Sequence, residues 1–145
     1  MYTHRDHVSE QARVSGSRLI LSRLRDLQAD GSVAIVTADF NARPRSPTHR
    51  LYTDAGFTDA YLAAGHADHP ERSFTYHGWR GREFRREGAE PVRIDWILVR
   101  DGARWRARVT SCEIVRDAAP PVYPSDHYPV VADLLIEPVD DSPIG

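Results

Sequence analysis

Lysine is missing from this sequence: all 19 basic residues are arginine. They are spread along the whole chain, which reads as a coding bias, and they supply planar guanidinium forks suited to phosphate. Cysteine is nearly missing too. Cys112 stands alone, which excludes an internal disulfide and fits a reducing compartment. Its apolar neighbours Val109, Ile114 and Val115 predict a buried strand thiol. No apolar run approaches the roughly 20 residues that span a bilayer, and the first residues carry no signal-peptide pattern. Both absences point to a cytoplasmic protein, or to one whose address lies upstream. Charge of one sign is also lacking: the formal net charge of -2 gives no global attraction to nucleic acid or to an anionic membrane. What remains, 41% hydrophobic and 28% charged residues in 145, is one soluble domain long enough to bury a core.

Ser9 and Glu10 open a helix in which Ala12, Leu19, Ile20, Leu24 and Leu27 recur near helical spacing, ending by Asp30 and Gly31. Residues 33–37 predict a short apolar strand, followed by a loop through Pro44 and Pro47. Residues 48–61 predict a short helix with Leu51, Tyr52, Ala55 and Phe57 inside. Residues 65–91, rich in Gly, His and Arg, predict long surface loops of the kind that carry function. Strands follow at 92–99, 105–115 and 130–136, and residues 138–145 predict a flexible tail.

Three polar clusters fall at strand ends. In Ala38-Asp-Phe-Asn41, positions two apart point the same way in extended chain, so Asp39 and Asn41 project together while Phe40 enters the core. For such a pair alone, an Asx turn is the commoner reading. In the 92–99 strand, Asp95 is an acid on a covered face and needs a partner. Arg93 on the same face is the structural candidate, a histidine from elsewhere the functional one. In Tyr123-Pro-Ser-Asp-His-Tyr-Pro129, Asp126 and His127 are held side by side by prolines, a carboxylate for a divalent metal beside an imidazole for protons, metal or phosphate.

Taken together and in order, the clusters resemble the signatures of the endonuclease/exonuclease/phosphatase superfamily, G-D-F-N, R-I/L-D-Y/W and S-D-H-x-P-V/L. The opening Thr3-His-Arg-Asp-His7 is similar to a T-H-x-D-H segment of bacterial members, and Ser73-Phe-Thr-Tyr-His-Gly78 is similar to the family's T-F/Y-x-G turn. The resemblance runs over residues 3–136. It implies an α+β fold, a β-sandwich with flanking helices in four α/β/β/α layers, and a Mg²⁺- or Mn²⁺-dependent hydrolase of phosphate esters. It further implies roles for single residues. His4 would contact the scissile phosphate. Asp39 would position or deprotonate the attacking water, and Asn41 would hold that water, the phosphate or a metal. Asp95 would orient His127, His127 would stabilise developing negative charge, and Asp126 would be a metal ligand with Asp39 and Asn41. Asp6, His7 and His77 would line the cleft as substrate contacts.

The resemblance covers roughly one half of that fold, so residues 1–137 are expected to be the C-terminal half of such a domain. The metal-binding glutamate of the first half has no counterpart here, and Met1 is expected to be a start placed inside a longer gene. The chain alone is then expected to be weakly active or inactive, and its sheet, expected to be single, to leave aliphatic side chains facing water until a dimer partner or the missing half covers them. Two other readings compete. His4-Arg-Asp-His7 matches the last four positions of the H-x-H-x-D-H zinc motif of metallo-β-lactamase-like hydrolases, although Tyr2 stands where the first histidine belongs. A non-catalytic half-fold needing a partner is the other. The substrate, whether nucleic acid, phosphoinositide or small phosphoester, is not legible; Arg80, Arg82, Arg85 and Arg86 make the best local case for a polyanion. His66 and His69 are expected to lie in a solvated loop.

Overall fold

The computed structural model describes residues 9–85 and 87–139. Helix α1 (Glu10–Leu27) starts where Ser9 accepts a hydrogen bond from the Ala12 backbone N–H at 3.2 Å, with Glu10 in the favourable first turn. Strand β1 (Ala34–Asp39) leads through the 40–46 loop into α2 (Pro47–Asp54), which Ser46 caps and Pro47 opens. Gly56, at φ +86, ends this helix, so the single helix expected over 48–61 becomes α2, the two-residue strand β2 (Thr58–Asp59) and the one-turn helix α3 (Ala60–Ala63). The described residues between 65 and 91 form loops with one 3-10 turn at Gly81–Glu83. Strands β3 (Asp95–Arg100), β4 (Trp105–Ile114) and β5 (Val130–Pro138) complete the chain.

The strands form two sheets rather than the single one expected from the pattern. One has the order β1-β3-β2, the other pairs β4 with β5, and every pairing is antiparallel. The side-chain period of two then sets the layers. From the first sheet, Ala34, Trp96 and Leu98 point to one face and join Tyr52, Phe57, Leu21 and Leu24 in a core under α1 and α2. Ile97 points to the other face and meets Ala60, Tyr61, Cys112, Val109, Ile114, Val130 and Ala132. Cys112 is buried as its neighbours predicted.

The inner stripe of α1 departs from expectation. Ser17, Leu21 and Leu24, at i, i+4 and i+7, face the core, whereas Leu19 and Leu27 are 62% and 72% exposed. The stripe is set by packing against α2, not by the leucines nearest helical spacing. Ile35, 49% exposed, lies on the Asp39 face of β1, and Val131, Leu135 and Ile136 of β5 are also exposed. No helix among the described residues is long and apolar enough to cross a membrane.

Candidate active site

Strand β1 ends at Asp39 and β3 begins at Asp95, and the ladder registers these two residues opposite each other. Phe40 leaves the strand into the core, stacked on Trp96 with ring centroids 4.4 Å apart and edge-on to Tyr52. That anchor makes the chain turn. Asn41 takes φ +47, a conformation asparagine tolerates better than most residues. Its backbone N–H donates to Asp39 Oδ1 at 2.8 Å and its side-chain amide to Oδ2 at 3.1 Å. The Asx turn and the shared projection are thus one geometry, not alternatives.

His127 arrives from the third cluster. Its Nδ1 lies 2.8 Å from Asp95 Oδ2, and because a carboxylate only accepts, the proton sits on Nδ1. Nε2 lies 4.0 Å from Asp39 Oδ2. The loop is pinned on both sides: the Tyr128 N–H donates to Thr75 O at 2.8 Å, the His127 N–H to Ser125 Oγ at 3.1 Å, and Val115 N–H to Pro129 O at 2.8 Å. Partial burial pushes the Asp39 carboxyl above its usual range and the Asp95 charge adds to this, while the Asn41 N–H and His127 pull it back. Asp39, Asp95 and His127 each offer a ligand atom within 4.8 Å of the others, which makes them the group among the described residues able to share one metal ion. Two carboxylates with one imidazole suit a hard divalent cation.

Other sequence readings are relocated. Asp126 is outside that group. Its backbone oxygen accepts from the N–H groups of His77 and Gly78 at 2.9 and 3.1 Å, and its carboxylate charge acts on the buried His77 ring. His77, read as a cleft residue, is buried. Its ring packs on Tyr128 and Tyr123, its Nδ1 accepts from the Gly81 N–H at 3.2 Å, and burial holds its pKa below the usual value. It builds the turn rather than lining the cleft. His66 donates its Nε2–H to the Cys112 carbonyl oxygen at 2.8 Å, and its ring stacks on Tyr61. His4, Asp6 and His7 lie outside the described residues.

Arg93 does not partner Asp95. It precedes β3 and is fully buried, with its guanidinium donating to Asp59 at 2.8 and 3.1 Å and to Asp68 at 2.9 Å, while His49 Nε2 lies 3.0 Å from Asp59. Sequence reasoning missed this network; the one available signal was an acid enclosed by Phe57 and Ala60-Tyr61. It also passed over the Thr75 hydroxyl, which accepts from the Ile94 and Asp95 N–H groups at 3.0 and 3.2 Å and so fixes the start of β3.

A carboxylate–imidazole pair faces a second carboxylate across a strand ladder, and the comparisons with known proteins give the chain a family. The chain belongs to the Endonuclease/Exonuclease/phosphatase family, whose model matches residues 5–127. An endonuclease/exonuclease/phosphatase structure from Bacteroides vulgatus is 31% identical with a TM-score of 0.69, over 91% of this chain and 47% of that one. The fold is also similar to mannosyl-6-phosphatase of Bacteroides thetaiotaomicron, at 24% identity, TM-score 0.72, 90% of this chain and 48% of that one. D. rerio TDP2, solved with a single-strand DNA product, has 14% identity and a TM-score of 0.66 over 90% of this chain and 52% of that one. The chain spans about half the length of these solved relatives. No curated protein matches it at a significant level.

Proposed function

We propose that the protein is a divalent-metal-dependent hydrolase of phosphate esters, acting as a phosphodiesterase, nuclease or phosphatase. The observation that carries the reading is the Asp39–Asp95–His127 cluster, with one imidazole nitrogen fixed by Asp95 and the other left toward Asp39. Asp95 holds the His127 tautomer, so Nε2 is aimed at the reacting phosphate and, when protonated, donates to a non-bridging oxygen as charge develops there. Asp39, partly desolvated, accepts a proton from the attacking water or orients it, and the Asn41 amide fixes the carboxylate that does so. Asp39, Asn41 and Asp126 would hold Mg²⁺ or Mn²⁺, with the Asp95 carboxylate close to Asp39, and the ion when bound supplies Lewis-acid charge at the phosphoryl oxygens. His4, Asp6 and His7 belong to the same proposal as phosphate and substrate contacts.

The reading extends to partners. Ile35 is exposed on the Asp39 face of β1, which supports a covering sheet from the first half of such a domain or from a second copy. A cytoplasmic setting is part of it, in keeping with a single buried thiol. The test is a titration of Mn²⁺ followed by its electron paramagnetic resonance signal. Binding that is lost in Asp39→Asn supports the site; equal binding in Asp39→Asn and parent removes it.

A further inference from the structure

A cleft of about 750 Å³ opens beside the 123–128 loop, lined among others by Trp79, Arg80, Arg82, Arg116 and Tyr123. Its rim carries an anomaly. Trp79 has φ +66, a left-handed conformation that is costly for a bulky side chain, and yet 58% of its surface is exposed. Gly78 and Gly81, at φ +54 and +55, take the same region freely. An indole held in a strained turn and left in water is not there to fill the core.

Arg80 and Arg82 follow in the same turn. Both are exposed, and neither guanidinium has a hydrogen-bond or ion-pair partner among the described residues. The other arginines nearby are committed. Arg116 donates to Arg72 O and Phe74 O and lies over the Phe74 and Tyr128 rings, and Arg85 donates to Arg82 O and Phe84 O. The turn is also fixed relative to the catalytic loop. His77 and Gly78 donate to Asp126 O, next to His127, and the Tyr123 ring packs so closely against Gly81 that a Cβ there would clash with its hydroxyl.

We infer that this cleft is a nucleotide subsite: Trp79 takes the face of a base, and Arg80 and Arg82 take a backbone phosphate of the same strand. The inference rests on the proposed hydrolase and names its substrate class, single-stranded nucleic acid entering beside His127. One flat aromatic next to two unpartnered guanidiniums matches the alternation of base and phosphate. A sugar monophosphate offers one phosphate, which the catalytic cluster would take, leaving the two arginines without a partner.

The experiment is binding of fluorescein-labelled tetrathymidylate to the full-length protein, by anisotropy in EDTA so that no turnover occurs. Trp79→Ala is expected to weaken binding roughly five- to 150-fold, the range of one lost base stack, with Trp79→Phe close to the parent. Arg80→Ala with Arg82→Ala is expected to flatten the salt dependence by about 0.7 in log–log slope per arginine. Thymidine 3′,5′-bisphosphate should compete better than mannose 6-phosphate. Unchanged affinity in Trp79→Ala, with circular dichroism confirming the fold, overturns the subsite, as does mannose 6-phosphate competing equally well. Hydrolysis of bis(p-nitrophenyl) phosphate is read in parallel. If the parent shows none with any divalent metal, the hydrolase reading fails while the binding result still decides the subsite.

Discussion

Asp39 and Asp95 stand opposite each other in the β1–β3 ladder, two carboxylates at one end of a sheet. Like charges placed so cost stability. The arrangement therefore spends some of the fold's stability on the site, and His127 offsets part of it through its 2.8 Å bond to Asp95.

Asp39→Asn should accordingly stabilise the apo protein by about 0.2–1 kcal/mol at neutral pH while removing activity. The sign follows from the raised Asp39 pKa: the parent carries no repulsion below the usual carboxylate range and acquires it as pH rises through the elevated value. Urea unfolding at pH 7 and pH 4 should show the gain at pH 7 and little of it at pH 4. An equal effect at both pH values would mean that charge is not its cause.

His127→Ala should lower kcat for a phosphodiester by about 10²–10³-fold with little change in KM, the loss expected for a donor that acts on developing charge. Asp95→Asn keeps the shape but frees the imidazole. It should lower kcat while leaving the melting temperature within a few degrees of the parent. Steady-state kinetics on both variants checks this.

Thr75→Val is a subtler probe of the same pair. It keeps the volume but leaves the Ile94 and Asp95 N–H groups without their acceptor, at a cost of about 1–3 kcal/mol each. Stability should fall, and kcat should fall more than KM rises because Asp95 loses its anchor. Thr75→Ser, which keeps the hydroxyl, should restore kcat.

The buried network sets the acid limit of the fold. Burial alone would raise the Asp59 pKa, but His49 and the Arg93 guanidinium outweigh it and leave the carboxyl below its usual value. A depressed carboxylate contributes stability above the unfolded pKa and loses it as pH falls through the folded value. Stability should therefore drop below about pH 4. Asp59→Asn should cost about 3–5 kcal/mol at pH 7 by leaving Arg93 buried with fewer partners, and should flatten the acid limb of a plot of unfolding free energy against pH.

That Asp39, Asn41, Asp95 and His127 come together was legible in the sequence because the parts are local and ordered: Asp39 with Asn41 two apart, Asp95 on a strand, His127 between prolines. What failed was of longer range. Arg93 looked like the partner of Asp95 because both were read as strand residues on one face, but the strand starts only at Asp95, and no local pattern announces the Asp59 and Asp68 carboxylates that claim the guanidinium. His77 looked accessible because the stretch around it is polar. Its burial comes from Tyr123 and Tyr128, some fifty residues on. Leu19 and Leu27 fit helical spacing yet face outward, since the line of contact with α2 decides the buried stripe. Period two and period 3.6 name candidate faces; tertiary contact chooses among them.

The central claim is most directly tested by hydrolysis of bis(p-nitrophenyl) phosphate by the protein together with the first half of such a domain, in EDTA and then with Mg²⁺, Mn²⁺ or Zn²⁺ restored. The account predicts no turnover in EDTA, recovery with Mg²⁺ or Mn²⁺, and loss of that recovery in His127→Ala. Turnover that persists in EDTA, returns only with zinc, or survives His127→Ala would contradict it.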